Sequence, residues 1–184
     1  MKKLANEPVL DVAYVVGGQV RIGHVHLKVA HLERALEFYG GILGFEIRQR
    51  IGDSAAFLSA GGYHHHIALN TWESLGGSPP APGTTGLYHT AVVYPTRTEL
   101  AKALKRVLSA GISLQGAADH GVSESIYLSD PDENGVELYC DTPKEKWPRS
   151  ATNGWKCIRG VSICVNSSGK RKRKSKLTSG PKDL

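Results

Sequence analysis

Ser125-Ile-Tyr-Leu-Ser-Asp-Pro-Asp-Glu-Asn-Gly-Val-Glu-Leu-Tyr139 reads as two short strands around a tight turn. Ile126 to Leu128 carries the apolar and aromatic side chains that suit a pleated surface. Asp130 to Gly135 is turn chemistry: Pro131 presets φ, and the Asn134-Gly135 pair accepts positive φ. Val136 to Tyr139 then sets one acid among apolar residues. Alternate residues of a strand share a face, so Glu137 and Tyr139 point one way and Val136 and Leu138 the other. Glu137 is then either an exposed acid on an edge strand or, with both faces covered, a buried carboxylate that needs a partner or a metal.

An internal repeat bears on that choice. Arg21 to Val29 reads as a strand, with His24, His26 and Lys28 on one face and Val25, Leu27 and Val29 on the other. Leu32, Ala35, Leu36 and Tyr39 follow the spacing of an amphipathic helix. Strands are predicted over 45–51, 55–59 and 63–71, giving the order βαβββ. After a linker over 72–86, rich in Gly, Pro, Ser and Thr, the order recurs. A strand is predicted over 87–94. A helix follows over 98–110, its apolar side formed by Leu100, Ala101, Leu104, Val107 and Leu108. Strands are then predicted over 112–114, 125–128 and 136–139. His24 and His89, 65 residues apart, open the two repeats at the same place. With one gap, Ile67-Ala68-Leu69 aligns with Val136-Glu137-Leu138, so Ala68 is the counterpart of Glu137.

Two modules paired by pseudo-twofold symmetry would bring His24 and His89 together with Glu137 beside them. Two imidazoles and a carboxylate, with positions left open, make the facial triad of non-haem iron(II) oxygenases and also accept Mn(II) or Zn(II). The bland reading makes His24 and His89 core histidines with hydrogen-bonded rings.

Composition sets the frame. The 184 residues suit one domain or two small modules sharing a core. No apolar run approaches the roughly 18 residues of a membrane span. The N-terminus is a poor signal peptide, because Asn6, Glu7, Pro8 and Asp11 interrupt its apolar stretch. Cys140, Cys157 and Cys164 form no CxxC, which argues against a disulfide framework or zinc knuckle and suits a reducing cytoplasm. The net charge of +6 is uneven: residues 149–184 hold ten Lys/Arg against one acid, while the preceding body is slightly acidic. The basic balance therefore belongs to a tail, expected to be disordered, and does not mark the folded body as a nucleic-acid binder.

His24-Val-His-Leu-Lys-Val29, Phe38-Tyr39 with Ile42-Leu43-Gly44-Phe45, Tyr88-His89, and Asp130-Pro131-Asp132 with Asn134-Gly135 and Glu137-Leu138 together resemble the vicinal-oxygen-chelate superfamily. This is the glyoxalase/bleomycin-resistance/dioxygenase fold, and within it the chain is most similar to extradiol ring-cleaving dioxygenases of the catechol 2,3-dioxygenase type. The resemblance implies an α+β fold of two βαβββ modules paired around one metal site. It implies Fe(II), with Mn(II) as the alternative, held by His24, His89 and Glu137. Ala68 stands where glyoxalase I-like relatives usually carry a fourth ligand, which favours the dioxygenase.

The resemblance also gives His65 the role of acid–base histidine, and assigns His120 and Tyr127 to hydrogen bonding the substrate. Read from the residues alone, alternation puts His64 and His66 on one face of a strand and His65 on the other, and His66 stays open as the inward residue. Tyr127 is by default a core aromatic, and Asp119-His120-Gly121 a turn.

The expected organisation is a lead-in over 1–20, a paired domain over 21–148 with modules 21–72 and 87–142, and the tail over 149–184. Within that tail, residues 155–165 could form a strand. The expected partners are a catecholic substrate and dioxygen, as in aromatic hydrocarbon catabolism, with a homo-oligomer allowed and no membrane. Two alternatives share the fold: a glyoxalase- or isomerase-type metalloenzyme that needs no oxygen, and a non-catalytic ligand-sequestering protein.

Overall fold

A computed structural model describes residues 14–149. The expected strand over 155–165, most of the basic tail and the first thirteen residues lie outside them. Eight strands form two four-stranded sheets. The first module contains β1 (Val25–Lys28), β2 (Glu46–Ile51), β3 (Ala55–Ser59) and β4 (Ile67–Asn70) in the order β1-β4-β3-β2. The second contains β5 (Thr90–Val93), β6 (Gly116–Asp119), β7 (Ser123–Ser129) and β8 (Gly135–Asp141) in the order β5-β8-β7-β6. In each module the first strand runs parallel to the last, and the helix between the first two strands makes the crossover.

The helix of the first module is α1 (Leu32–Leu36), which continues as a π-helical turn over Glu37–Ile42. The predicted single amphipathic helix is thus correct in place and incomplete in kind. Leu43 N–H reaches back to the Phe38 carbonyl at 2.9 Å, and the wider turn buries Phe38 and Tyr39 together. Gly44, at φ 87°, ends it. In the second module α2 (Arg97–Ser109) starts where Thr96 accepts the Glu99 N–H at 3.2 Å, a side-chain cap on an otherwise orphaned donor. Leu100, Ala103 and Val107 are buried, whereas Ala101 and Leu108, both expected on the apolar side, are exposed.

Two strand predictions need correction. Residues 112–114 are not a strand: Ile112 N–H caps α2 by bonding the Val107 carbonyl, and pairing begins only at Gln115 N–H to Tyr127 O. The strand that follows, Gly116-Ala117-Ala118-Asp119, has none of the residues that favour strands, so its place is set by pairing with β7. Likewise the stretch 63–66 is irregular and β4 begins at Ile67, which removes the alternation argument for His64 to His66.

The β7–β8 hairpin forms as expected, with one change at its turn. Positive φ falls on Glu133, at 64°, and not on the Asn134-Gly135 pair. Asp130 is the reason. Its Oδ1 accepts from Asp132 N and Asn134 N at 2.9 and 2.8 Å, and its Oδ2 accepts from Asn134 Nδ2 at 2.9 Å.

One continuous core joins the modules. Leu27 and Val29 from β1, Leu36, Phe38 and Tyr39 from the first helix, Leu100 and Val107 from α2, and Leu128, Val136 and Leu138 from β7 and β8 all belong to it. Polar bonds cross the same seam. Tyr39 OH donates to Asp130 Oδ2 at 2.9 Å, Arg34 pairs with Asp132 at 2.5 Å, and Arg106 donates to the Gly41 and Ile42 carbonyls at 2.5 and 2.7 Å. Among the described residues no helix is long and apolar enough to cross a membrane.

Candidate active site

The registers of the two parallel pairs bear out the internal repeat. Ala68 lies opposite His26 in β4/β1, and Glu137 lies opposite Ala91 in β8/β5. His26 and Ala91 each follow the module's opening histidine by two residues, so Ala68 and Glu137 occupy equivalent places. His24 and His89 both sit one residue before their strands.

Glu137 and His89 are brought together. His89 Nε2 is 2.9 Å from Glu137 Oε2, and the carboxylate is nearly buried, with 12% of its side chain exposed. Strand β8 turns Glu137 away from the core because Val136 and Leu138 on either side are buried in it. Tyr127 lies opposite Glu137 in the β7/β8 register and donates its hydroxyl to Glu137 Oε1 at 3.1 Å. His120 Nε2 is 2.7 Å from that hydroxyl. His120 sits in the turn expected of Asp119-His120-Gly121, with Gly121 at φ 74°. Tyr127 is therefore a half-buried donor to the acid and not a core aromatic.

A cavity of about 590 Å³ opens beside this group. Tyr88, His89, Gln115 and Tyr127 line it, with Gly116, Ala117 and Ala118 of β6 as a wall of small residues. The volume lies in the range of small-molecule sites. Gln115 and the small-residue wall had no periodicity or motif to mark them in the sequence, and Tyr88 was marked only as the neighbour of His89.

His65 lies with His24, their ring centroids 4.4 Å apart, and His64 Nδ1 is 2.8 Å from His65 Nδ1. His66 is engaged elsewhere, with Nδ1 3.0 Å from Ser59 Oγ and accepting Ala60 N–H. Burial, and then the neighbouring His24, hold the His65 imidazole below its ordinary value. Burial and His24 lower His26 as well, and His26 Nε2 pairs with Asn70 Nδ2 at 2.8 Å.

A divalent metal suits part of the expected ligand set. His89 and Glu137 fit: two ligand atoms, each about 2.1 Å from an ion and near a right angle, stand about 3 Å apart. An imidazole nitrogen and a carboxylate also suit Fe(II) or Mn(II). The third expected ligand does not join them. Among the described residues no three His, Cys, Asp or Glu side chains converge enough to hold a metal, and every residue lining the cavity belongs to the second module. Among the described residues His24 stands apart from the His89–Glu137 pair, with its ring against His65 in the first module. The donor faces of the two modules point away from a common core.

Gly135 governs the His89–Glu137 approach. A Cβ at Gly135 would overlap the Tyr88 carbonyl oxygen and come within 3.1 Å of His89 Cβ. Gly135→Ala is expected to push the Tyr88-His89 backbone off β8, at a cost of roughly 1–3 kcal/mol. Divalent-metal affinity should fall with it, by about tenfold or more as misplaced ligands generally cost. Chemical denaturation and anaerobic metal titration check both, and a variant with unchanged affinity would contradict the steric reading.

Comparison with known proteins agrees with this architecture. The family model of the Glyoxalase/Bleomycin resistance protein/Dioxygenase superfamily matches residues 21–138. The chain belongs to that superfamily. It is 42% identical over 128 residues to a catechol-2,3-dioxygenase of Bacillus subtilis, an alignment covering 70% of this chain and 44% of that protein. It is 34% identical over 130 residues to biphenyl-2,3-diol 1,2-dioxygenase 3 of Rhodococcus globerulus, covering 68% and 67%. The chain thus spans under half the length of the Bacillus relative and about two thirds of the Rhodococcus one. A crystal structure of a glyoxalase/dioxygenase from Nostoc punctiforme shares the fold, with TM-score 0.57, 21% identity, and coverage of 72% of this chain and 99% of that one.

Proposed function

We propose that this protein is an extradiol ring-cleaving dioxygenase acting on catechol-type diols, with residues 21–148 as its catalytic unit. The observation that carries the reading is the His89–Glu137 donor pair beside a cavity large enough for an aromatic ring. It stands in a chain whose curated relatives are named for catechol and biphenyl-2,3-diol. Ferrous iron, or manganese in its place, would be held by His89 and Glu137 with His24 as the third ligand. Bound there, the metal would lower the pKa of the diol and conduct electrons from ring to dioxygen. A buried free thiol at Cys140 suits the reducing cytoplasm expected of such an enzyme.

The chain's own groups have distinct tasks. Tyr127 OH donates to Glu137 Oε1 and so fixes the carboxylate's rotation, leaving Oε2 turned toward His89. His120 holds that phenol from its other side. Gly116 to Ala118 leave room for the ring. His65, kept neutral near pH 7 by burial and by its histidine neighbours, is ready to accept the diol proton at a ring nitrogen and return it during ring opening. Ala68 leaves no fourth donor at the place equivalent to Glu137, which favours this reading over a glyoxalase-type enzyme.

His65→Phe tests the assignment. General acid–base groups contribute roughly 10²–10⁴-fold, so turnover should fall by about that factor while iron and catechol still bind. Near-normal turnover in this variant would remove His65 from the mechanism.

A further inference from the structure

We propose that the cavity selects catechols whose ring carries a short, positively charged amine arm, and that Glu133 sets this preference. The inference rests on the dioxygenase reading for where the diol lies, and goes beyond it in naming the substituent.

The β7–β8 hairpin gives the cavity two poles. At one, Tyr127 lies opposite Glu137, and His89 meets the same carboxylate. At the other, two residues nearer the turn, Ser129 pairs with Gly135. Two residues of strand span roughly 7 Å. The cavity runs toward this second pole: Gln115, Ser129, Glu133 and Tyr88 border it, whereas Ser125 and Tyr139, on the other side of the first pole, do not. A ring with its diol at Glu137 therefore points its far side at the turn.

The second pole is rich in acceptors. Gln115 uses an amide N–H on Ser129 Oγ at 2.6 Å, and its Oε1 has no protein partner among the described residues. Glu133 is exposed, and among the described residues its carboxylate forms no ion pair. No Lys or Arg lines the cavity. An ammonium supplies three donors and the opposite charge to this end. The Tyr88 ring beside it offers the same cation an aromatic face. A carboxylated arm would meet a like charge with no cation to offset it.

The backbone gives an independent reason to assign Glu133 a task. Among the described residues it is the only non-glycine with positive φ, at 64°. That conformation suits glycine, so a glutamate there is held against its own preference. Its N–H bonds the Asp130 carbonyl at 3.1 Å, inside the turn that Asp130 ties down. A strained residue fixed at the mouth of a cavity points to a use for its side chain.

The test compares catechols bearing an aminoethyl, an ethyl or a carboxymethyl arm on the far side of the ring. Initial oxygen uptake by the full chain, loaded anaerobically with ferrous iron, gives kcat/KM for each. The aminoethyl compound should exceed the ethyl one by about threefold, and the carboxymethyl compound should fall below it by a similar factor, the size of an exposed charge pair. Affinities measured by anaerobic equilibrium dialysis should follow the same order, because the arm is recognised before oxygen enters. Glu133→Gln should bring the three compounds together, Glu133→Asp should keep their order, and high salt should shrink the differences in the wild-type protein. Equal values for all three in the wild type, or an order unchanged in Glu133→Gln, would overturn this inference and leave the dioxygenase reading standing. Iron-loaded wild type that consumes no oxygen with any of them would overturn the dioxygenase reading instead, and this inference with it.

Discussion

Glu137→Gln should lose ferrous-ion binding by more than about 100-fold, and ring cleavage with it, while the fold survives. The amide keeps the shape of the carboxylate but removes the anion that a hard divalent metal prefers. It also turns one hydrogen-bond acceptor into a donor. Of the two oxygens, Oε1 accepts from Tyr127 at 3.1 Å and Oε2 faces His89 Nε2 at 2.9 Å. An amide satisfies one of these neighbours at the expense of the other, or turns its NH₂ toward the metal position. Stability should change little, because the carboxylate is partnered at the edge of the cavity and is not a member of the core. Anaerobic titration with ferrous iron, beside a thermal melt, separates the two effects. A variant that binds iron as tightly as wild type would show that Glu137 is a structural acid.

The second large effect is on stability. Asp130→Ala should cost roughly 3–5 kcal/mol, the range for removing one partner from a buried charged network. Asp130 is 5% exposed and accepts four hydrogen bonds, from Tyr39 OH, Asp132 N, Asn134 N and Asn134 Nδ2. Three of these shape the β7–β8 turn, and the fourth ties that turn to the helix of the other module. Alanine would leave all four donors stranded, each with its own desolvation penalty. Urea unfolding measures the loss, and a change under about 1 kcal/mol would mean that water replaces the carboxylate without cost.

The same contact gives an alkaline signature. Burial first, and then Asp130, raise the Tyr39 phenol far above its ordinary 10.0. In the unfolded chain the phenol ionises near that ordinary value, so the folded state binds the extra proton. Stability from this group is complete below about pH 10 and falls as pH rises beyond it. Tyr39→Phe should remove that part of the alkaline decline.

Much of this arrangement was legible in the residues. The spacing of Leu32, Ala35, Leu36 and Tyr39, and the hairpin around Asp130 to Gly135, placed the elements that carry the site. The repeat predicted Ala68 as the counterpart of Glu137, and the registers of the two parallel pairs place them equivalently. Local patterns failed where local chemistry is silent. Gly116 to Asp119 becomes a strand only because β7 is there to pair with it. His64 to His66 looked like strand because their neighbours at Ile67 to Leu69 are. The direction in which the modules pack had no local signal in the residues. An amphipathic helix such as α2 shows which side is buried, and nothing about whether its own sheet or both modules lie under that side. Shared burial of Leu36, Phe38, Leu100 and Val107 puts both modules on one core.

The most direct measurement is oxygen consumption by the full chain after anaerobic loading with ferrous iron, started by adding catechol in air-saturated buffer. The expected result is one dioxygen consumed per ring opened, with a yellow product and no uptake when iron is withheld. Iron-loaded protein that consumes no oxygen across several catechols would contradict the dioxygenase assignment.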